Sequence, residues 1–315
     1  RKNFSIKQIS QGPKVDLELL LIYTLYMRKR EDFVPMKTLE CRGITLSDKQ
    51  TKICVPITGT DLEEIKEQAE KIANMNPDVV EWRADFYDVK DNDETEFEQC
   101  LKAINDNLKK IPIIYTYRTS NEGGEKSIDV DDYCRLCKYV SEISEKYNVA
   151  MIDVELYENK DQKDIGKLLL DIKSTGVKVI GSNHHFEGTP SEKDIFNVLK
   201  TMEEAGADIC KIAVMPKEKV DVKTLINASK KANKELNAPI ITMSMGELGA
   251  VTRICTRMTG SVVTFGAGVN ASAPGQPPCE MVRFLLKASE SGKIDCNVAL
   301  IGFMGTGKTT ISNAL

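Results

Sequence analysis

From about residue 52 the chain repeats one local pattern, a short apolar run rich in β-branched residues followed by a charged segment with apolar residues at i, i+3 and i+4. Eight such runs are readable: Ile53 to Thr58, Asp78 to Arg83, Ile111 to Arg118, Ala150 to Glu155, Lys178 to Asn183, Ile209 to Val214, Pro239 to Ser244 and Ser261 to Gly266. Runs such as Val177 to Ile180 lack strict alternation, as strands covered by helices do. The segments between them, for example Asp61 to Asn74, Asp131 to Lys146 and Ser191 to Glu204, read as amphipathic helices. Thr189-Pro190-Ser191-Glu192 supplies a helix start, with caps around the proline and an acid in the first turn. Eight strand-helix units in roughly 250 residues predict an α/β chain folded as a closed (β/α)8 TIM barrel with short N- and C-terminal extensions. An open doubly wound sheet is the alternative, but no G-x-G-x-x-G follows the first run.

The length of 315 residues, 41% hydrophobic and 29% charged, suits one large domain with extensions. A formal net charge of -4 argues against a general nucleic-acid surface and for small-molecule chemistry. Nine cysteines, an odd number without regular spacing, point to reduced thiols and a cytoplasmic location. Cys134 and Cys137 form a C-x-x-C on an expected helix, with no second pair or nearby histidine, so plain thiols are expected there. The apolar stretch Leu17 to Met27 is too short for a membrane span, carries Glu18 and lacks a small-residue cleavage site, so neither an anchor nor a secretory signal is expected. The chain opens at Arg1, which suggests a start inside a longer polypeptide.

In such barrels functional groups project from the C-terminal ends of the strands. Here the second run ends in Glu81-Trp82-Arg83, the third in Arg118 and the fourth in Asp153-Val154-Glu155. The fifth passes into His184-His185, the only two histidines of the chain, and the sixth holds Lys211. Arg253 and the loop Ala271-Ser272-Ala273-Pro274-Gly275-Gln276 follow the last two runs. Histidine moves protons near neutral pH, and a lysine among apolar residues tends to lose its charge and become nucleophilic, which together suggest carbonyl chemistry through an imine. Each feature has a plain structural alternative: a rim arginine in an ion pair, a hydrogen-bonded core histidine, a lysine snorkelling to the rim. Three arginines around one mouth are harder to place that way, because their burial costs solvation unless an anion such as a carboxylate shares the site.

These motifs, with Tyr117-Arg118-Thr119-Ser120-Asn121-Glu122-Gly123-Gly124, Ser182-Asn183-His184-His185-Phe186 and Lys211-Ile212-Ala213-Val214-Met215-Pro216, resemble those of type I 3-dehydroquinate dehydratases over about residues 36 to 290. Met36-Lys37-Thr38 is similar to the family's usual beginning. By position, the resemblance makes Lys211 the Schiff-base lysine and His184 the catalytic histidine. Glu122 matches the acid that orients that histidine, with Glu155 as a second candidate. Glu81, Arg83, Arg118, Arg253, Ser272 and Gln276 match positions that hold the substrate's carboxylate and hydroxyls. His185 stands where family members often carry aspartate.

The resemblance implies dehydration of 3-dehydroquinate to 3-dehydroshikimate, a shikimate-pathway step, without a metal or organic cofactor. It also implies a homodimer, with neither nucleic acid nor membrane as a partner. Neutral Lys211 would attack the ketone, its uncharged form favoured by apolar packing around Ile209, Ile212 and Val214 and by nearby cations. His184 would shuttle the protons, Arg253 with Arg83 or Arg118 would bind the carboxylate, and Gly266 to Gln276 would close as a lid. The rival readings are a class I aldolase, which breaks a C-C bond through the same imine, and an inactive anion-binding barrel.

At the other end Gly302-Phe303-Met304-Gly305-Thr306-Gly307-Lys308-Thr309 is a complete G-x-x-x-x-G-K-[ST] after the strand-like Asn297 to Ile301, and resembles the opening of a shikimate kinase. Gly302, Gly307, Lys308 and Thr309 would hold phosphates and magnesium, so ATP and Mg enter only with a complete kinase domain. The expected organisation is a residue 1-35 extension or tail of a preceding unit, a 36-291 barrel, and a 292-315 truncated kinase-like start. A nucleotide-switch reading would require a fuller sheet than these residues supply.

Overall fold

The structure, a computed structural model, describes residues 37–88, 93–156 and 163–291. Two short strands, β1 (Thr38–Cys41) and β2 (Ile44–Ser47), form an antiparallel hairpin. Eight parallel strands follow: β3 (Lys52–Ile57), β4 (Val79–Arg83), β5 (Ile113–Thr116), β6 (Val149–Glu155), β7 (Lys178–His185), β8 (Ile209–Val214), β9 (Ile240–Ser244) and β10 (Val263–Phe265). Their order is β10-β3-β4-β5-β6-β7-β8-β9, so sequence neighbours are sheet neighbours and β10 lies beside β3. After the strands come α1 (Leu62–Ala73), α2 (Glu94–Leu108), α3 (Val130–Glu142), α4 (Lys163–Ser174), α5 (Glu192–Glu204), α6 (Lys219–Glu235), α7 (Gly246–Ile254) and α8 (Cys279–Ser291), one behind each of β3 to β10. The expected barrel is therefore the observed one.

Local chemistry sets the helix ends. The Asp61 side chain accepts from Glu64 N at 2.9 Å and Ser191 Oγ accepts from Asp194 N at 3.2 Å, which satisfies main-chain donors of the first turns of α1 and α5. Along α1, Ile65, Ala69 and Ile72 form the buried stripe. Two strands are shorter than their apolar runs. Pro112 has no N–H to give to the ladder, so β5 starts at Ile113. At the barrel's seam, Ile240 of β9 forms an isolated bridge with Ser261, just ahead of β10, and there a hydroxyl adds to the pairing. Ser261 Oγ accepts from Thr242 N at 2.9 Å and donates to Thr242 O at 3.0 Å. β7 runs longer than expected, since His184 and His185 still pair with Ala213 and Val214.

Two apolar layers result. Between strands and helices, Trp82 packs against Phe97 and Tyr115 with ring centroids 5.4 and 5.6 Å away. Inside the barrel, Cys54, Val79, Ile114, Met151, Ile180, Ile209 and Ile241 meet Cys41 and Leu46 of the hairpin, which plugs the N-terminal end. This hairpin precedes the eight expected runs and is not among them. Its signal is the alternation Leu39, Cys41, Ile44, Leu46 around Arg42-Gly43, whose φ values of 36° and 77° are the positive pair a two-residue hairpin turn requires. Leu17 to Met27 and the P-loop residues lie outside the described residues, among which no helix is long and apolar enough to cross a membrane.

Candidate active site

Strand periodicity carries one column of residues up each strand's inner face. From the N-terminal layer upward these read Val79, Glu81, Arg83; Ile114, Thr116, then Arg118; Met151, Asp153, Glu155; Ile180, Ser182, His184; and Ile209, Lys211, Ala213. The floor is apolar and the C-terminal half is ionisable. A pocket there is lined by Glu81, Arg83, Arg118, Glu122, His184, Lys211, Arg253, Ser272 and Gln276, with Met243, Met245 and Phe265 among its apolar walls.

Arg118 is the hub. Its Nη2 donates to Asp153 Oδ1 at 2.7 Å, and its Nη1 reaches Glu155 Oε1 at 3.0 Å, Ser182 Oγ at 2.9 Å and Glu122 Oε2 at 3.4 Å. Burial disfavours its charge, but Asp153, Glu155 and Glu122 outweigh that and hold it firmly protonated. Lys211 Nζ donates to Asp153 Oδ2 at 2.8 Å, lies 3.8 Å from Glu81 Oε1, and sits 4.9 Å from the centre of the Phe265 ring. The carboxyl of Asp153 would be raised by burial, yet the Arg118 and Lys211 cations bring it down to about 2.

His184 Nδ1 lies 2.9 Å from Glu122 Oε2, and Asn183 Nδ2 donates to the other carboxyl oxygen at 3.0 Å. A proton bridges the ring and the acid, which leaves Nε2 for the pocket. Burial, then the cations Arg118, Lys211 and Arg83, hold the imidazole well below its usual range. Burial likewise pushes the Glu122 carboxyl up, to about 8, against the pull of Arg118. The turn that brings Glu122 here depends on two glycines. A Cβ on Gly123, whose φ is +81°, would lie 2.3 Å from the Phe186 ring, and one on Gly124 would lie 1.9 Å from Arg118 O.

The other arginines differ sharply. Arg83 grips Asp85 with two hydrogen bonds of 2.7 Å and donates to Ser272 O at 3.2 Å. Arg253 is 2% exposed, and its Nε, Nη1 and Nη2 have no hydrogen-bond partner among the described residues. Burial alone pulls its guanidinium down to about 10. The loop after β10 is braced within itself, where Ser272 N donates to Gln276 Oε1 at 2.9 Å, and tied to the rim, where Gly246 N donates to Pro274 O at 3.2 Å.

A family model described as type I 3-dehydroquinase matches residues 53–293. Curated relatives named 3-dehydroquinate dehydratase include one from Listeria monocytogenes serotype 4a, 38% identical over 80% of this chain and 97% of its own length. Another, from Bacillus licheniformis, is 42% identical over 76% of this chain and 92% of its own. The chain belongs to the type I 3-dehydroquinase family. Among solved structures, the 3-dehydroquinate dehydratase of Geobacillus kaustophilus superposes with a TM-score of 0.76 at 33% identity, covering 81% of this chain and 97% of that one. The type I enzyme of Clostridium difficile, solved with covalently modified comenic acid, gives 0.75 at 35% identity, covering 81% and 98%.

Every residue that the sequence reading proposed for the type I dehydratase site, apart from Glu155, lines this pocket. Glu155 is a correction. It accepts from Thr119 N at 2.8 Å and Thr119 Oγ1 at 2.7 Å and pairs with Arg118, so it props the hub, and Glu122 is the acid on His184. The expected surroundings of Lys211 also change. Its apolar chain neighbours Cys210 and Ile212 face the helix layer, so its spatial neighbours are carboxylates from β4 and β6. Asp153, which bonds Lys211, is not among the site residues expected from the sequence. The signal was Met151-Ile152-Asp153-Val154-Glu155, which places two acids on one strand face, one of them midway down a buried strand.

Proposed function

We propose that Lys211 dehydrates 3-dehydroquinate to 3-dehydroshikimate as an imine-forming nucleophile, with His184 as proton carrier and Arg253 as carboxylate anchor. One observation carries the reading. Of the four buried cations on the pocket, Arg253 alone has no hydrogen-bond partner among the described residues, so the pocket is built to receive one more anion.

In the net first step Lys211-NH3+ and the ketone become a protonated iminium and water. The iminium then draws electrons from the adjacent C–H bond, and His184 Nε2 takes that proton to leave an enamine. The enamine expels the hydroxyl one carbon further on, with the proton returned by His184, so that the group leaves as water. Hydrolysis of the conjugated imine frees the lysine. Glu122 fixes the imidazole. Arg253, Ser272 and Gln276 hold the substrate's carboxylate and hydroxyls, and Glu81 lies beside the reacting nitrogen. The type I family uses no cofactor, and each of these steps uses side chains of this chain.

We read residues 36–291 as the catalytic domain, expect it to work as a cytoplasmic homodimer, and read residues 292–315, with Gly302, Gly307, Lys308 and Thr309, as the start of a kinase-like domain. ATP and Mg belong to that domain alone. Residues 1–35 are read as an extension or the tail of a preceding unit.

Incubation with 3-dehydroquinate and borohydride, followed by peptide mass mapping, tests the central claim. A reduced adduct on Lys211 is expected. Folded protein that binds substrate and yields no adduct would sink it, and a cleaved carbon skeleton among the products would point to an aldolase.

A further inference from the structure

The reacting nitrogen keeps the same charge at both ends of imine formation. The ammonium R-NH3+ and the ketone O=C give R-NH+=C and water, so two N–H bonds leave as water, one stays, and the nitrogen side remains at +1. A group that pairs with the ammonium can therefore pair with the iminium, whereas the free amine and the enamine between them are neutral.

Asp153 is placed for that. It is 1% exposed, midway up β6, with Oδ2 on Lys211 Nζ at 2.8 Å. Its Oδ1 is locked from the opposite side by Arg118 Nη2 at 2.7 Å and Ser182 Oγ at 2.5 Å. With one oxygen pinned, the other is a fixed point for the nitrogen to bond to. Glu81 is a poorer partner, because its Oε1 stands 3.8 Å from Nζ and already accepts from Thr116 Oγ1 at 2.9 Å.

We propose that Asp153 is the permanent counter-charge of the reacting nitrogen, holding Lys211 Nζ before the reaction and the iminium N–H during it, without itself taking the proton. The proposal rests on the imine reading above. The low proton affinity of the carboxyl agrees with it, since a group that Arg118 keeps ionised is a weak base. Other ionisable groups face this pair. Glu81 comes from β4, Arg118 and Glu122 from the segment after β5, Glu155 from β6 itself, His184 from β7, and the Cys54 thiol from β3. Tyr133 and Cys137 approach from α3, both held neutral by burial. Of these, Asp153 is the acid within hydrogen-bond distance of Nζ.

Removing its charge should act in two opposite directions. Without a counter-charge the ammonium gives up its proton more readily, so imine formation should begin at lower pH, while the iminium, equally deprived, should accumulate less. Timed borohydride quenching with 3-dehydroquinate across pH, followed by mass mapping of Lys211, reads both, with circular dichroism melts to confirm folding. In Asp153→Asn the pH profile of imine formation is expected to move toward acid by about one unit or more. The trapped fraction at saturation is expected to fall about tenfold. Ser182→Ala, which frees Oδ1, should move both in the same directions by less. A folded Asp153→Asn that keeps the wild-type pH profile overturns the proposal, whether or not its rate falls, since structural damage alone lowers both readouts without moving the profile. If that variant does not fold, an unmoved profile in Ser182→Ala overturns it. Absence of any adduct in the wild type would instead sink the imine reading itself.

Discussion

The two halves of the barrel interior are built on the same strands and follow opposite rules. In the N-terminal half, inward residues are apolar and the hairpin seals them with Cys41 and Leu46. Two residues further along the same strands, the inward positions are Glu81, Asp153, Ser182 and Lys211, and beyond them Arg83, Arg118, Glu155 and His184. The lower half gains stability from burying surface. The upper half spends it, because each buried charge must be matched by another, and one, Arg253, has no match among the described residues. Function is concentrated where the packing rule is broken.

The sharpest break of that contrast is Lys211→Met. Turnover of 3-dehydroquinate should fall on the order of 10⁴-fold or more, measured by the appearance of the conjugated product. Asp153 then loses its partner on Oδ2, so the melting temperature should not rise, although an apolar side chain has been added to the barrel.

Arg253→Met, the next largest effect, should separate stability from activity. Losing the carboxylate anchor is expected to cost about 3 kcal/mol of transition-state binding, roughly 10²-fold in kcat/KM, seen mostly in KM. The folded chain loses an unpartnered buried cation and keeps the side chain's apolar length, so unfolding stability should rise by about 1–4 kcal/mol. A thermal melt in the absence of ligand decides it. A lower Tm would mean that Arg253 has a stabilising partner in solution.

The fold was legible because each strand of the barrel is buried on both sides and each helix on one, which are patterns a linear sequence displays directly. Asp61 and Ser191 mark helix starts by the same local logic. The pocket was legible insofar as strand ends were charged. What escaped depended on which residues of different strands share a level. Lys211 looked apolar in its own run, yet the register sets it beside Asp153 and Glu81, and no spacing along one strand reveals that. Glu155 stands in the sequence as a second candidate behind Glu122 for the acid on His184, and only the structure shows Thr119 claiming it. The hairpin was missed because four-residue strands give little periodicity.

Glu122→Gln probes the proton side of the upper half. The carboxyl is raised to about 8, so at neutral pH the Glu122–His184 pair still holds an extra proton and Nε2 is not free as a base. In the wild type kcat/KM should therefore climb with pH through about 8. The amide carries no negative charge to hold that extra proton. The rise should move to lower pH while the plateau falls roughly 10- to 100-fold. Stability has its own sign. Between the ordinary 4.5 and about 8 the folded chain binds a proton that the unfolded chain has released, so this group's contribution to stability declines as pH rises across that window. Denaturant titrations at several pH values should show the slope in the wild type and its absence in the variant.

Leu46→Ala tests whether the lower half matters to chemistry at all. Leu46 is fully buried in the plug, and its truncation leaves a cavity in a layer that cannot collapse without moving β1 and β2. A loss of about 2–5 kcal/mol is expected in denaturant unfolding. Lys211, Asp153 and Arg118 are fixed to one another by hydrogen bonds one layer above, so kcat/KM at a temperature where the variant is fully folded should change less than about twofold. A larger change would mean that the hairpin sets the height of the strand columns, and with it the distance from Lys211 to its counter-charge. The apolar floor would then be part of the active site's geometry, and the division between the two halves would fail.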